Sequence, residues 1–384
     1  MNIQIFIYII LGLFREVNDT LTSEGVFLVY AILFFLSFSV LFTLLIFYSR
    51  ITKTIKENKT NVMKKKYQLL ITSYMFDEGL MANGVESEQI QKMIAHYNEN
   101  YLQNKFNRNV LIEEILLIYK ELSGDAAENL RKLYLTLDLE KDSLKKVEST
   151  RWYIQAKGVK ELAEMNISSA YPIIYALINH PNKILRMEVH TAIVKLVNFS
   201  ALTFLDESKY PISEWQQINI LEVLSKSGNT YLPDFSQWLG SRNDSVVLFA
   251  LKMVKFFHRI DHIKQILKLL KHDNLKIRKD VVDTIGELDA ASALSTLKKH
   301  FYSDEKEFKL EVLRVSKKIA IEKDLPFLEV QLLNEDYDIS LASANAMVAN
   351  GEMGVTLLKD ISKTYADDKL KGIIRQAFSA VNMN

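Results

Sequence analysis

A chain of 384 residues with 48 basic and 47 acidic side chains carries almost no net charge, so nothing draws it as a whole toward nucleic acid. It has no cysteine, which excludes a disulfide framework and any thiolate or cysteine-ligated metal chemistry. Its 5 prolines and 12 glycines are few for this length and suit an almost wholly helical chain.

Residues 3–14 form a short apolar run, too short to span a bilayer comfortably, and are expected to lie as an interfacial helix on the outer face. Residues 25–48 then run 24 positions without a charge, dominated by Phe, Leu, Val and Ile. About 20 apolar residues suffice to cross a bilayer core as a helix. The run is long for a removable signal peptide, and no small-residue cleavage site comes after it. Arg50, Lys53, Lys56, Lys59, Lys64, Lys65 and Lys66 come next, against the single acid Glu57, whereas Arg15, Glu16, Asp19 and Glu24 precede the run. Positive residues stay on the cytoplasmic side, which places everything after the span in the cytoplasm and residues 1–24 outside. The basic segment 49–66 primarily sets topology, and Lys64, Lys65 and Lys66 are candidates for holding anionic headgroups.

Four stretches, 67–76, 87–101, 110–122 and 126–137, carry helical spacing without a longer period. Residues 67–124 are expected to form a helical cap on the domain spanning 125–384. Glu113 and Glu114 read as a solvated edge rather than an acid/base pair, which needs a shared cleft.

From Ser149 onward one pattern recurs about every 31 residues. Positions three, seven and ten after Ser149, Asn182, Ser213, Asp244, Asn274, Glu305, Asp336 and Asp367 form three columns. They hold, for example, Leu185, Val189 and Ala192, or Ile277, Val281 and Thr284. Only Gln216, Thr284 and Ser343 break the apolar rule, so 21 of 24 positions comply, where the chain's 48% apolar content would supply about half. That spacing places all three columns on one helical face. Seven of the eight leading residues are favoured N-caps, whose side-chain oxygens accept unpaired first-turn N–H groups. The stretches 171–179, 261–271, 291–301 and 323–333 supply a preceding helix in four of the units.

A helix, a turn and a second helix in about 31 residues resembles the HEAT-repeat family. The segments 180–196 and 272–288 carry the likeness best. They share His180/His272, Asn182/Asn274, Arg186/Arg278, Val189/Val281, Ile193/Ile285 and Leu196/Leu288. The resemblance covers residues 125–384 and departs from the family pattern at 211–217 and 340–343, where the basic position is missing. Together with the uncharged run over 25–48 it implies an all-α chain: a transmembrane helix followed by a HEAT-like α-solenoid of helix pairs. Some relatives of HEAT repeats resemble bilin lyases, but nothing in this sequence supplies a bilin site.

No G-x-G-x-x-G, G-x-x-x-x-G-K-[ST] or H-E-x-x-H occurs, so no catalytic residue, metal or cofactor is expected. His258 and His262 stand four apart, but Arg259 and Ile260 fall at a helix boundary and no third ligand is evident, so they read as surface histidines. Arg186, Arg278, Lys309 and Lys371 recur four residues after the leading residue. They read either as an acid–base ladder between units, as the HEAT resemblance implies, or as a basic track for an acidic partner. Trp152, Tyr153, Tyr171 and Trp215 fall at helix starts and read as core or inter-repeat packing. Phe378 closes the last copy and is expected either to form an exposed apolar patch or to pack on the helix before it. The expected role is a non-enzymatic, membrane-anchored scaffold that binds a protein partner at the bilayer surface. The alternative is an accessory subunit of a membrane enzyme or transport complex, such as an envelope polysaccharide glycosyltransferase system of a bacterium.

Overall fold

In the computed structural model, residues 12, 15, 22–77, 79–80, 84–226 and 232–382 are described, and all but Gly12 of the expected helix over 3–14 lies outside them. Among the described residues the chain is all-α, without a strand. It divides into two compact units, Met1–Leu139 and Glu140–Asn384.

The first unit is built on α1 (Ser23–Met75), one unbroken helix of roughly 80 Å at 1.5 Å per residue. No proline or glycine interrupts residues 49–75, so the helix expected over 67–76 is the far end of the apolar run. Residues 27–48 are exposed or half-exposed: none is buried, and Phe27 is 76% exposed. By length and composition this stretch is able to cross a membrane. Further along, Tyr67, Leu70, Ile71 and Tyr74 are fully buried, with α2 (Glu88–Asn100), α3 (Lys105–Tyr119) and α4 (Asp125–Thr136) packed against the same helix. Glu114 is not the solvated edge its sequence suggests. It is buried, with Lys64 Nζ 2.6 Å from its Oε1.

The second unit comprises α5 (Leu139–Val147), α6 (Trp152–Glu164), α7 (Lys183–Val197), α8 (Glu214–Ser225), α9 (Asp244–Phe256), α10 (Leu275–Glu287), α11 (Lys306–Ile319), α12 (Tyr337–Ala349), α13 (Glu352–Thr364) and α14 (Asp368–Asn382). The helices that begin the repeated pattern stand side by side as α6 to α8 and as α9 to α12 with α14, and Gln217 Nε2 of α8 donates to Ser245 O of α9 at 3.1 Å where the two parts of the row join. Within this row the starts meet: Asn274 Nδ2 donates to Asp244 Oδ2 at 2.7 Å, and Lys306 pairs with Asp336. The ends meet too, Lys195 with Glu164 and Lys318 with Glu287, so neighbours run parallel. The oxygens of Asn182, Ser213, Asn274, Asp336 and Asp367 accept first-turn N–H groups as expected. In α9 that role moves one residue, to Asn243, and Glu305 makes no side-chain cap.

Every column position is buried except Trp152, Ala156 and Val223. The first copy fails because its frame starts two residues late. Ser149 Oγ accepts only from Arg151 N, and Arg151 stands at the N-cap of α6. The inward positions are then Ile154, Gly158 and Glu161. At Gly158 an added Cβ would lie 2.6 Å from Ser143 O, so α5 and α6 meet there backbone to backbone. Glu161 is buried with both oxygens 2.7 Å from Lys146 Nζ and a further bond from Ser143 Oγ.

At the other end, Asn166, Asn198, His258 and Asp289 adopt positive φ just after α6, α7, α9 and α10. After α6, α9 and α10 paired reverse hydrogen bonds close the helix, as from Ala290 N to Ile285 O and from Asp289 N to Gly286 O. The preceding helices are short and open on 3₁₀ turns, as at Ala291–Ala293 before Leu294–Phe301.

Val281 is fully buried, so Val281→Asp should cost at least about 3 kcal/mol in chemical denaturation of the detergent-solubilised chain. Asn274→Ala, which removes the cap and the tie to Asp244, should cost about 1 kcal/mol or slightly more. Unchanged unfolding of both variants would contradict the column register.

Candidate functional site

A residue two positions after the cap sits about 100° around the helix from the buried residue next to it. In α6, α7 and α8 these positions hold Tyr153, Ile184 and Trp215, each 31 residues from the next. They are 53%, 57% and 64% exposed, and Ile218, one turn beyond Trp215, is 50% exposed. Trp152 packs edge to face on Tyr153 and is itself 38% exposed. α6, α7 and α8 are successive neighbours, so these side chains stand at equivalent places on three adjacent helices, an apolar ridge across them. The packing role expected of Trp152, Tyr153 and Trp215 is therefore not the one they have, and only Tyr171, half-buried against Tyr175, fits it.

The ridge ends at α9. There Ser245 takes the equivalent position and is drawn inward, its Oγ accepting from Ile212 N at 2.8 Å. In later copies the position is charged: Lys276, Glu307, Asp338 and Lys369. Lys276 reaches back to pair with Glu214, beside Trp215. Large contiguous apolar exposure is uncommon on a soluble surface, and Trp and Tyr dominate the energetics of protein interfaces. The 31-residue spacing of 153, 184 and 215 was the available sequence signal, hidden because it lies outside the buried columns.

The expected basic residues go elsewhere. Arg186 is buried, donates to His180 O (2.7 Å) and Pro181 O (2.9 Å), and stacks 4.0 Å over the Tyr210 ring. Arg278 donates to His272 O and Asp273 O, then forks onto Asp304 at 2.9 and 3.0 Å and touches Glu305 at 3.0 Å. That is a ladder rung to the next unit, and it saturates the guanidinium. Lys309 is half-buried with its ammonium 5.9 Å from the Phe301 ring centre, and Lys371 is half-buried on α14. Phe378 is half-buried on the same helix, which packs against both α12 and α13. Of the headgroup candidates, Lys64 is paired with Glu114 and Lys66 lies 4.3 Å over the Tyr101 ring, leaving Lys65 exposed.

Along the helix ends the charges neutralise one another. Lys255 binds Asp280 and Asp283, and Arg314 binds Asp283 and Glu311. A groove of about 580 Å³ beside the Lys195–Glu164 pair is lined by both signs and offers no net field. His258 is exposed in its left-handed turn, whereas His262 is buried rather than a surface residue, so the two do not form a ligand pair. Among the described residues no group of three metal-ligating side chains converges.

No protein-family model and no curated protein matches the chain. Similar solved structures include an engineered protein, 16% identical, covering 76% of this chain and 88% of its own at TM-score 0.35. YibA of Escherichia coli is 11% identical, with 69% and 98% covered and TM-score 0.36. The CpcE–CpcF complex of phycocyanin lyase from Nostoc sp. PCC7120 is 12% identical, with 62% and 94% covered and TM-score 0.25. Similarity at this level transfers no activity and no site.

Beneath the ridge, His190 is buried; its Nε2–H donates to Ile178 O at 2.9 Å while Nδ1 accepts from Gln216 Nε2. Burial, the larger cause, and the Arg186 charge push its pKa from 6.5 down to about 4, the backbone bond opposing them. A base whose folded pKa is depressed contributes stability that is complete above pH 6.5 and lost as pH falls toward 4. At 1.36 kcal/mol per unit the window holds roughly 3 kcal/mol. The imidazole should stay neutral by NMR down to about pH 5, and wild type should lose more stability than His190→Gln between pH 6.5 and 4. An imidazole titrating near 6.5 would contradict this environment.

Proposed function

We propose that this chain is a membrane-anchored scaffold whose helical repeats form a HEAT-like solenoid in the cytoplasm and dock a protein partner along the Tyr153–Ile184–Trp215 ridge. The observation that carries the docking role is the ridge itself: four large apolar side chains, each half exposed or more, in register on three neighbouring helices. Exposing them forgoes burial worth about 1.5–3 kcal/mol per side chain, so a partner that covers them recovers it. Two of the four are aromatic with a polar edge, the residue type that anchors interfaces at low entropy cost.

Anchoring is supported by the uncharged run over 25–48, none of whose described residues is buried, and by its continuation as the same helix into a packed unit. Cytoplasmic placement is supported by the basic residues directly after the run. The nearly neutral ladders favour recognition by shape and apolar contact over recognition by charge.

Full-length protein should remain in the membrane pellet through carbonate and high-salt washing, and protease added to intact cells should spare the repeats. Release into the supernatant would remove the anchor, and digestion would reverse the topology. Tyr153→Ala with Trp215→Ala should reduce at least about tenfold the recovery of any partner crosslinked in intact membranes, with helical content unchanged. A partner recovered equally by wild type and variant would assign docking to another surface.

A further inference from the structure

Beyond Tyr48, α1 leaves the uncharged run as a bare, basic rod. Residues 49–59 are all exposed, and four cations, Arg50, Lys53, Lys56 and Lys59, stand among them with one acid. That acid, Glu57, lies 3.8 Å from Lys53. Among the described residues Arg50 and Lys56 have no ion-pair partner, which sets them apart from Lys64 and Lys66.

The start of α3 comes alongside this rod. Phe106, in its first turn, sits with the Lys59 ammonium 5.0 Å from its ring centre. Between them lies a cleft of about 340 Å³ lined by Thr52, Ile55, Lys56, Lys59 and Phe106. Its floor is apolar, and its rim carries two ammonium groups. Lys105 is exposed beside it, at the positive end of the α3 dipole.

Height along the helix decides what can reach the cleft. If residue 48 marks the edge of the hydrocarbon, Thr52 stands about 6 Å and Lys59 about 16 Å beyond it. A polar headgroup layer is about 5–8 Å thick. The Thr52 end of the cleft therefore lies within that layer, whereas Lys56, about 12 Å out, and Lys59 stand beyond it and reach back toward the phosphates with their long side chains.

We propose that this cleft binds the headgroup of an anionic phospholipid, with Lys56 and Lys59 reaching down to its phosphate and Ile55 and Phe106 walling the headgroup in. This rests on the reading that residues 25–48 cross the bilayer. It moves the lipid contact from Lys64–Lys66, two of which are already engaged, to turns nearer the membrane. A zwitterionic headgroup satisfies the same phosphate contact but leaves the surplus cations uncompensated, so the site discriminates by headgroup charge.

The test is native mass spectrometry of full-length protein in mild detergent, titrated with phosphatidylglycerol, phosphatidylcholine or glycerol phosphate. Wild type should retain phosphatidylglycerol at least about tenfold more tightly than phosphatidylcholine, and Lys56→Ala with Lys59→Ala should weaken it roughly thirtyfold. Phe106→Ser should weaken both lipids. Both lysines are exposed, so their loss leaves the packed unit intact. Unchanged phosphatidylglycerol binding by the lysine variant overturns the site, and equally tight glycerol phosphate binding overturns the lipid in favour of a free-anion site. Carbonate washing of the same preparations separates the two readings. Extraction from membranes sinks the anchor, whereas firm retention with unaltered lipid affinity sinks this site alone.

Discussion

The organisation of the second unit depends on burying one narrow stripe per helix against two neighbours that present the same stripe. A helix of 12 to 15 residues is marginal alone, so its stability comes from that shared burial. Stacking in parallel puts every helix start beside the next start, and every end beside the next end. The four unpaired N–H groups at each start must then be satisfied locally, which Asn182, Asn274 and Asp336 do. The ends of α6, α7, α9 and α10 close with a left-handed residue, and the chain there turns into a short 3₁₀ segment.

The polar residues inside the stripe obey the same constraint. Thr284 Oγ1 bonds to Asp280 O at 2.6 Å and Ser343 Oγ to Leu328 O at 2.6 Å, so each breaks the apolar column without leaving an unpaired group. Gln216 is held by His190, and Glu161 by Lys146. Burial lowers the Lys146 pKa despite the adjacent carboxylate, the expected result when desolvation outweighs the attraction of a buried pair. Such a pair specifies where α5 meets α6 more than it stabilises the contact.

How much could be read from the residues depends on the range of the physics involved. Caps and stripes are local, and from Asn182 onward they predicted the starts of the capped helices to within a residue. Ser149 misled because a serine two residues before a helix can hold a turn as readily as it can cap. Burial of Glu114 and Arg278 depends on partners some 50 residues away for one and 26 for the other, Lys64 and Asp304, and no local pattern carries that. The aromatic side chains were misplaced for a different reason: their bulk suggests burial, whereas their position relative to the cap decides it.

That same positional logic explains why the ridge stops after three helices. Moving the cap of α9 to Asn243 puts Ser245 where a fourth large side chain would stand. Ser245 is then committed to the backbone of the preceding unit through Ile212 N, and its own carbonyl accepts from Gln217 Nε2. Beyond it the Glu214–Lys276 pair spans 62 residues across the gap and closes the apolar surface with charge. The boundary is thus set by backbone hydrogen bonding in one helix start rather than by a change in the repeat. The consequence is an apolar surface confined to α6, α7 and α8, while α10, α11 and α12 are tied in register through ion pairs at their starts and ends.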